Sequence, residues 1–123
     1  RQNKVTILGQ VSEDTLNHLY HDATLLIHPS LYEGFGLTPL EAMSCDCPVV
    51  VSHAASLPEV CKDAAIYINP LDPKSIAQGI YSVWSSPKLQ EELRAKGRKR
   101  IEQLNWSISA QKHLEVIESL LKQ

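Results

Sequence analysis

The sequence has no long apolar run, little excess charge and few cysteines. No stretch approaches the roughly 20 apolar residues of a membrane-spanning helix, so no such helix is predicted. The 12 basic and 14 acidic residues leave a net charge of -2, which argues against a dedicated nucleic-acid-binding protein, since that class usually carries a basic excess. Only 6% of residues are aromatic, but the hydrophobic fraction of 43% is ordinary and excludes intrinsic disorder.

Three cysteines, Cys45, Cys47 and Cys61, are too few for a disulfide framework. They predict a reducing compartment, and therefore a cytoplasmic protein, either free or peripheral at a membrane. Cys45 and Cys47 are closer in sequence than the cysteine pairs of zinc sites, so no metal site is predicted. The chain begins at Arg1 rather than at a methionine, and we expect it to be part of a longer protein.

Short apolar runs alternate with amphipathic stretches, as in α/β proteins. Runs rich in valine, isoleucine and leucine predict strands at residues 5–8, 24–28, 49–51 and 65–68. Helical spacing and capping signals predict helices at 13–23, 38–44, 73–85 and 88–104, a short turn at residue 58, and a last helix capped by Ser107. Because strands alternate with helices and lack polar alternation, we expect one α/β domain over residues 1–123, a parallel sheet with helices on both faces.

The C-terminal helices predict further core residues. The last helix carries an apolar stripe of Ala110, Leu114, Ile117 and Leu121. Two tryptophans lie at helix junctions, Trp84 and Trp106, and we expect both to be core residues.

Histidines and basic residues favour structural interpretations. His18 and His21 are one helical turn apart, but no third metal ligand lies near them, so a surface pair is favoured. Residues 88–100 contain six basic residues, which a solvated helix face explains better than a membrane-docking face. His28 ends a predicted strand and is either a ligand contact or a satisfied core histidine.

The loop after the second predicted strand is the strongest candidate for a binding site, because ligands of parallel sheets bind beyond the carboxyl ends of strands. Gly34 and Gly36 allow a ligand to approach the backbone, and the following helix start favours phosphate. Glu33 and Glu41 repel phosphate but accept hydrogen bonds from sugar hydroxyls. Alternatively, residues 38–41 form a capping box, in which Thr38 is the N-cap and Glu41 only ties down the helix start.

Seven residues separate Glu33 from Glu41 in the sequence. This segment resembles the E-x7-E motif of retaining glycosyltransferases with the GT-B fold, especially those of family 4. Other segments follow that family's order along nearly the whole chain, namely residues 5–9, 26–30, 41–43, 48–50, 57–60 and 63–65, and Trp106. Each segment alone is a weak signal, but the ordered set is specific.

The resemblance implies that the chain binds a nucleotide-diphosphate sugar, UDP- or GDP-linked, and needs no metal or other cofactor. The implied donor-binding residues are Glu33, Gly34, Phe35, Gly36, Leu37, Thr38 and Glu41.

Each of these residues has an implied role. Glu41 would accept hydrogen bonds from the ribose, and Glu33 from the transferred hexose. Main-chain N–H groups of residues 35–37 would hold the sugar and those of residues 37–38 the diphosphate, while residues 9–11 would lie near the base. Glu33 is the catalytic candidate but not a nucleophile, since the family is thought to use front-face attack.

The resemblance implies a Rossmann-like parallel sheet with helices on both faces, and it covers only the later part of the second, C-terminal domain of a GT-B enzyme. The first two strands of that domain, its basic diphosphate ligands and the whole N-terminal acceptor domain are not in this sequence. We therefore expect the chain alone to be inactive. We also expect the strands at 5–8 and 24–28, which lack those neighbours, either to pair with each other or to form a homo-oligomer.

Two other functional classes stay open. One is a non-catalytic nucleotide-binding or interaction module that keeps the fold. The other is a sugar-nucleotide epimerase of the same architecture, against which the motif at residues 33–36 argues.

The sequence departs from the family pattern at two positions that are normally glycine. These positions carry Asp46 and Lys62. Asp tolerates a left-handed backbone better than most residues, so we expect the turn at Asp46 to survive. Both positions are expected to be structural and away from the ligand.

Overall fold

The computed structural model describes residues 4–122, which form three strands and six α-helices. The strands are β1 (Leu26–His28), β2 (Val49–Ser52) and β3 (Ala65–Ile68). The helices are α1 (Glu13–Asp22), α2 (Leu37–Ser44), α3 (Leu57–Cys61), α4 (Pro73–Trp84), α5 (Pro87–Gln103) and α6 (Trp106–Leu121).

The three strands form a parallel sheet in the order β1-β2-β3. Ile27 of β1 lies opposite Val50 of β2, which in turn lies opposite Ile66 of β3. All four residues of β2 are buried, as its central position and its apolar sequence require. The prediction of a parallel α/β sheet is confirmed, and the three predicted strands at 24–28, 49–51 and 65–68 are present.

Helices cover both faces of the sheet. On one face, Val49 and Val51 pack in a cluster with residues of α1, α2 and α3. On the other, Val50 packs with Val83 of α4 and Leu93 of α5. Helix α5 contributes to both clusters, because Ile101 near its end joins the first. Both faces of the sheet are therefore covered, and its free loops lie at the strand ends.

Three helix starts follow the predicted capping chemistry, whereas the start of α6 does not. Ser12, Asp72 and Ser86 each accept a hydrogen bond from a main-chain N–H in the first turn of their helix. The predicted cap at Ser107 is wrong, since α6 begins two residues earlier and Asn105 accepts the N–H of Ile108. Asparagine is at least as good an N-cap as serine, so the first competent residue caps the helix.

The predicted strand at residues 5–8 is wrong. These residues have no regular structure, and the side chains of Val5 and Ile7 are 82% and 92% exposed. The expected pairing between this run and β1 is also wrong, because β1 pairs with β2 and no other strand of residues 4–122 joins the sheet. A β-branched run forms a strand only where a neighbouring strand supplies main-chain partners.

The predicted core around the last helix is also wrong. None of the residues described in α6 is buried, and Leu114, Ile117 and Leu121 are at least half exposed. Trp84 and Trp106 are 64% and 81% exposed. An apolar helical stripe predicts a face that favours burial, but it does not supply a surface that covers it.

Asp46 and Lys62 both adopt positive φ angles, of 59° and 48°. The turn at Asp46 is stabilised from α5, since Arg98 donates to its carboxylate at 2.9 Å and Arg94 to its carbonyl oxygen at 3.1 Å. Lys62 has a ψ of -125°, a combination that favours glycine strongly. These two angles explain why glycine suits both positions.

Replacing Lys62 with glycine is expected to stabilise the protein. A strained backbone of this kind costs about 1–3 kcal/mol, and the extra freedom of glycine in the unfolded chain offsets up to about 1 kcal/mol. Thermal unfolding of Lys62→Gly should therefore show a rise in Tm of roughly 4 °C. Lys62→Ala removes the same charge but keeps a Cβ, and its Tm should stay near that of the wild type. An equal rise in Tm for both variants would contradict the interpretation that the backbone at Lys62 is strained.

The outer edge of β1 and the exposed residues 5–8 together predict self-association of this chain. Sedimentation equilibrium should show a dimer or larger species for the wild type. Ile7→Lys should shift the chain toward monomer, whereas Leu71→Lys, at another exposed apolar residue, should not. A monomer at every concentration would contradict the prediction.

Candidate functional site

The loop between β1 and α2 lies at the carboxyl edge of the sheet. Strand β1 ends at His28, and α2 begins at Leu37. The segments that follow β2 and β3 leave the sheet at the same edge, because all three strands are parallel. The predicted site therefore has the position at which parallel sheets bind ligands.

Two serines hold this loop through its main chain, namely Ser52, the buried last residue of β2, and Ser56, just before α3. Ser52 donates to the carbonyl oxygen of Ser30. The Ser56 hydroxyl lies 2.7 Å from the carbonyl oxygen of Phe35 and 3.1 Å from that of Glu33, so its single hydrogen is shared between them. These contacts were not predicted. The only sequence signal for them is the change from valine to serine at the end of an apolar run.

The two glycines of the loop differ in whether the local structure requires a glycine at their position. Gly36 has a φ of 102°, and a Cβ placed there would lie 2.8 Å from Cδ2 of Leu57. Gly34 has neither a positive φ nor an atom within 4 Å of such a Cβ. Nothing in the packing requires glycine at position 34, whereas open space there suits close approach by a ligand.

The start of α2 leaves main-chain donors without acceptors. Its N-cap is Gly36, which has no side chain to cap the helix, and Pro39 has no N–H. Within residues 4–122, the N–H groups of Leu37 and Thr38 donate to no acceptor. Such groups at a helix start favour a negatively charged ligand.

The alternative interpretation of residues 38–41 as a capping box is wrong. Thr38 lies inside the helix rather than at its N-cap, and no side chain caps α2. The carboxylate of Glu41 is exposed, and among residues 4–122 it has no hydrogen-bond or ion-pair partner. It lies near enough to Tyr20 to contribute to the raised pKa of that phenol, which burial raises most. Glu41 is therefore free to accept hydrogen bonds from a ligand.

Glu33 has a partner in the fold. Its Oε1 lies 2.8 Å from Nε2 of His28, and both side chains are partly buried. This hydrogen bond, with a smaller contribution from the hydroxyl of Ser30, lowers the pKa of Glu33 below its usual value. Glu33 is therefore ionised at neutral pH and accepts hydrogen bonds.

The remaining predicted contacts are Phe35, Leu37 and Thr38, which lie in the same segment, and residues 9–11, which lie outside it. Phe35 and Leu37 are about half exposed, at 50% and 51%, and Thr38 is partly buried. Residues 9–11, the weaker candidates for contact with a base, are exposed or partly buried and have no regular structure.

The three arginines of α5 are engaged away from this loop. Arg94 and Arg98 both bond to Asp46. Arg100 is nearly buried and donates to the carbonyl oxygens of Glu59 and Val60, close to the end of α3. These contacts support the structural interpretation of the basic helix.

Histidine and cysteine side chains meet at a different surface. His18 and His21 line a shallow cleft between α1 and α2 together with Cys45. Within residues 4–122, no group of three or more histidine, cysteine or acidic side chains is arranged to hold a metal ion.

Cys47 and Cys61 are buried, and burial raises the pKa of each thiol to about 11.

The sequence matches a known family over most of its length. Residues 1–100 match the family model described as glycosyl transferases group 1. The chain belongs to this family. It is 40% identical over 106 residues to the O-antigen chain mannosyltransferase B of Escherichia coli, which covers 86% of this chain and 28% of that protein.

Two further relatives agree with this assignment. The chain is 42% identical over 86 residues to the O-antigen chain mannosyltransferase RfbU of Salmonella typhimurium, covering 70% of the chain and 24% of that protein. The structure of sucrose-phosphate synthase from Thermosynechococcus elongatus superimposes with a TM-score of 0.87 at 29% identity, over 98% of this chain and 31% of that one. This group 1 chain therefore spans between 24% and 31% of the length of these proteins, and its fold is that of a GT-B glycosyltransferase domain.

None of the helices in the described part of this group 1 chain is long and apolar enough to cross a membrane.

Proposed function

We propose that this chain is the donor-binding part of a retaining, family 4-like glycosyltransferase that uses a UDP- or GDP-linked hexose. Mannose is the favoured hexose, because two of the relatives described above are named mannosyltransferases. The acceptor would bind to the N-terminal domain of the longer protein, as the resemblance implies.

The start of α2 is the observation that carries this proposal. The N–H groups of Leu37 and Thr38 have no acceptor among residues 4–122 and suit the diphosphate. Glu41, exposed and without a partner in the same part of the chain, suits ribose hydroxyls. Glu33 is ionised and lies in the loop before this helix start, which suits an acceptor for hydroxyls of the hexose.

The proposed reaction breaks the bond between the anomeric carbon and the diphosphate oxygen. The electron pair leaves with the diphosphate, and a hydroxyl of the acceptor forms the new bond on the same face of the sugar. The proton of that hydroxyl passes to the departing phosphate oxygen. Residues 33–38 would bind and orient the donor, and their main-chain N–H groups would offset part of the charge that develops on the diphosphate.

The chain alone is proposed to bind the donor without transferring the sugar. The arginines of α5 that bond to Asp46 and to the end of α3 are not available to the diphosphate. Basic ligands would come from the part of the longer protein that the resemblance places upstream, with no metal required.

Glu41→Gln is expected to weaken nucleotide binding by about tenfold or more, because it replaces a charged hydrogen-bond acceptor with a neutral one. Saturation-transfer NMR with UDP, GDP and ADP measures this loss and identifies the preferred base.

Glu118→Gln is the matched control, since Glu118 is an exposed glutamate on α6. It should bind the preferred nucleotide as well as the wild type does. Equal binding by Glu41→Gln and the wild type would contradict the ribose role of Glu41. A folded wild-type chain that binds none of the three nucleotides would contradict donor binding by this chain.

A further inference from the structure

The side chains of His28 and Glu33 join the end of a strand to the loop that follows it. His28 is the last residue of β1 and is held in register opposite Val51 of β2. Its Nε2 lies 2.8 Å from Oε1 of Glu33, and the exposed fractions of the two side chains are 19% and 30%. A residue fixed in the sheet therefore contacts the glutamate of the candidate site directly.

The direction of this hydrogen bond follows from the charge of Glu33. An ionised carboxylate can only accept hydrogen bonds, so Nε2 of His28 carries the hydrogen. The bond is short, as expected when the acceptor is charged. One carboxylate oxygen, Oε1, is thereby committed to the protein.

The main chain of the loop is fixed separately from this side chain. Ser56 holds the carbonyl oxygens of Glu33 and Phe35, and Ser52 holds that of Ser30. Fixing the main chain leaves the rotatable bonds of the Glu33 side chain free. The hydrogen bond from His28 selects a position for the carboxylate, and the hydroxyl of Ser30, which donates to the carbonyl oxygen of Tyr32, contributes less.

We propose that His28 is a positioning residue for the sugar part of the donor, an inference that rests on the proposed function of Glu33. His28 holds Oε1 so that Oε2 is presented to the hydroxyls of the hexose. The affinity gained from the hexose then depends on His28, whereas the affinity for the nucleoside diphosphate depends on Glu41 and on the N–H groups of α2.

Two variants of His28 separate this role from a general structural one. His28→Phe keeps a planar ring but loses the donor, and His28→Gln replaces Nε2–H with an amide N–H of similar reach. Each chain is titrated at neutral pH with the preferred nucleoside diphosphate and with the corresponding nucleotide-diphosphate mannose.

The wild type should bind the sugar nucleotide more tightly than the nucleoside diphosphate. His28→Phe should lose most of this gain, about tenfold in Kd, with little change for the nucleoside diphosphate. His28→Gln should recover most of the gain. Equal weakening of both ligands by His28→Phe, or no weakening of either, would overturn the proposal.

A measurement without ligand tests the contact itself. Carbon-detected NMR of the Glu33 carboxyl group should show a higher pKa in His28→Phe than in the wild type, because the bond that lowers it is gone. An unchanged pKa would overturn the proposal whatever the ligands do. If instead the pKa rises but the wild-type chain gains no affinity from the hexose, the proposed role of Glu33 has failed, and the positioning role of His28 falls with it.

Discussion

The burial of β2 between β1 and β3 is the constraint on which the rest of the structure depends. Its valines face helices on both sides, so the strand cannot shift without exposing them. Because all three strands are parallel, this packing aligns their carboxyl ends. Ser52 at the end of β2 and Ser56 before α3 follow these valines, and their hydroxyls donate to carbonyl oxygens of the loop after β1.

The same constraint explains why the two glutamates of the motif differ. Glu33 lies in the loop that β1 and the serines hold, and it is paired with His28. Glu41 lies one turn into α2 and points away from the residues that anchor this helix in the core. One carboxylate is therefore pre-oriented by the fold, and the other is available to a ligand.

Patterns along the sequence predicted the strands and helix starts that depend on residues adjacent in the chain. The three paired strands are continuous apolar runs, and the helix starts at Ser12, Asp72 and Ser86 carry their own caps. The contacts of Ser52, Ser56 and His28 depend on how loops from different strands meet, which spacing along one chain does not encode. The predictions of a strand at residues 5–8 and of a buried stripe on α6 were wrong for a related reason. An apolar pattern indicates a preference for burial but does not show which surface would cover it.

The central claim is that the segment from Glu33 to Glu41 binds a nucleotide-diphosphate sugar. The most direct test is an amide chemical-shift map of the chain with and without nucleotide-diphosphate mannose. The account predicts that the largest shifts fall on the N–H groups of Phe35, Gly36, Leu37 and Thr38. Shifts concentrated elsewhere, such as at the cleft of Asn17, His18 and Cys45, would contradict it.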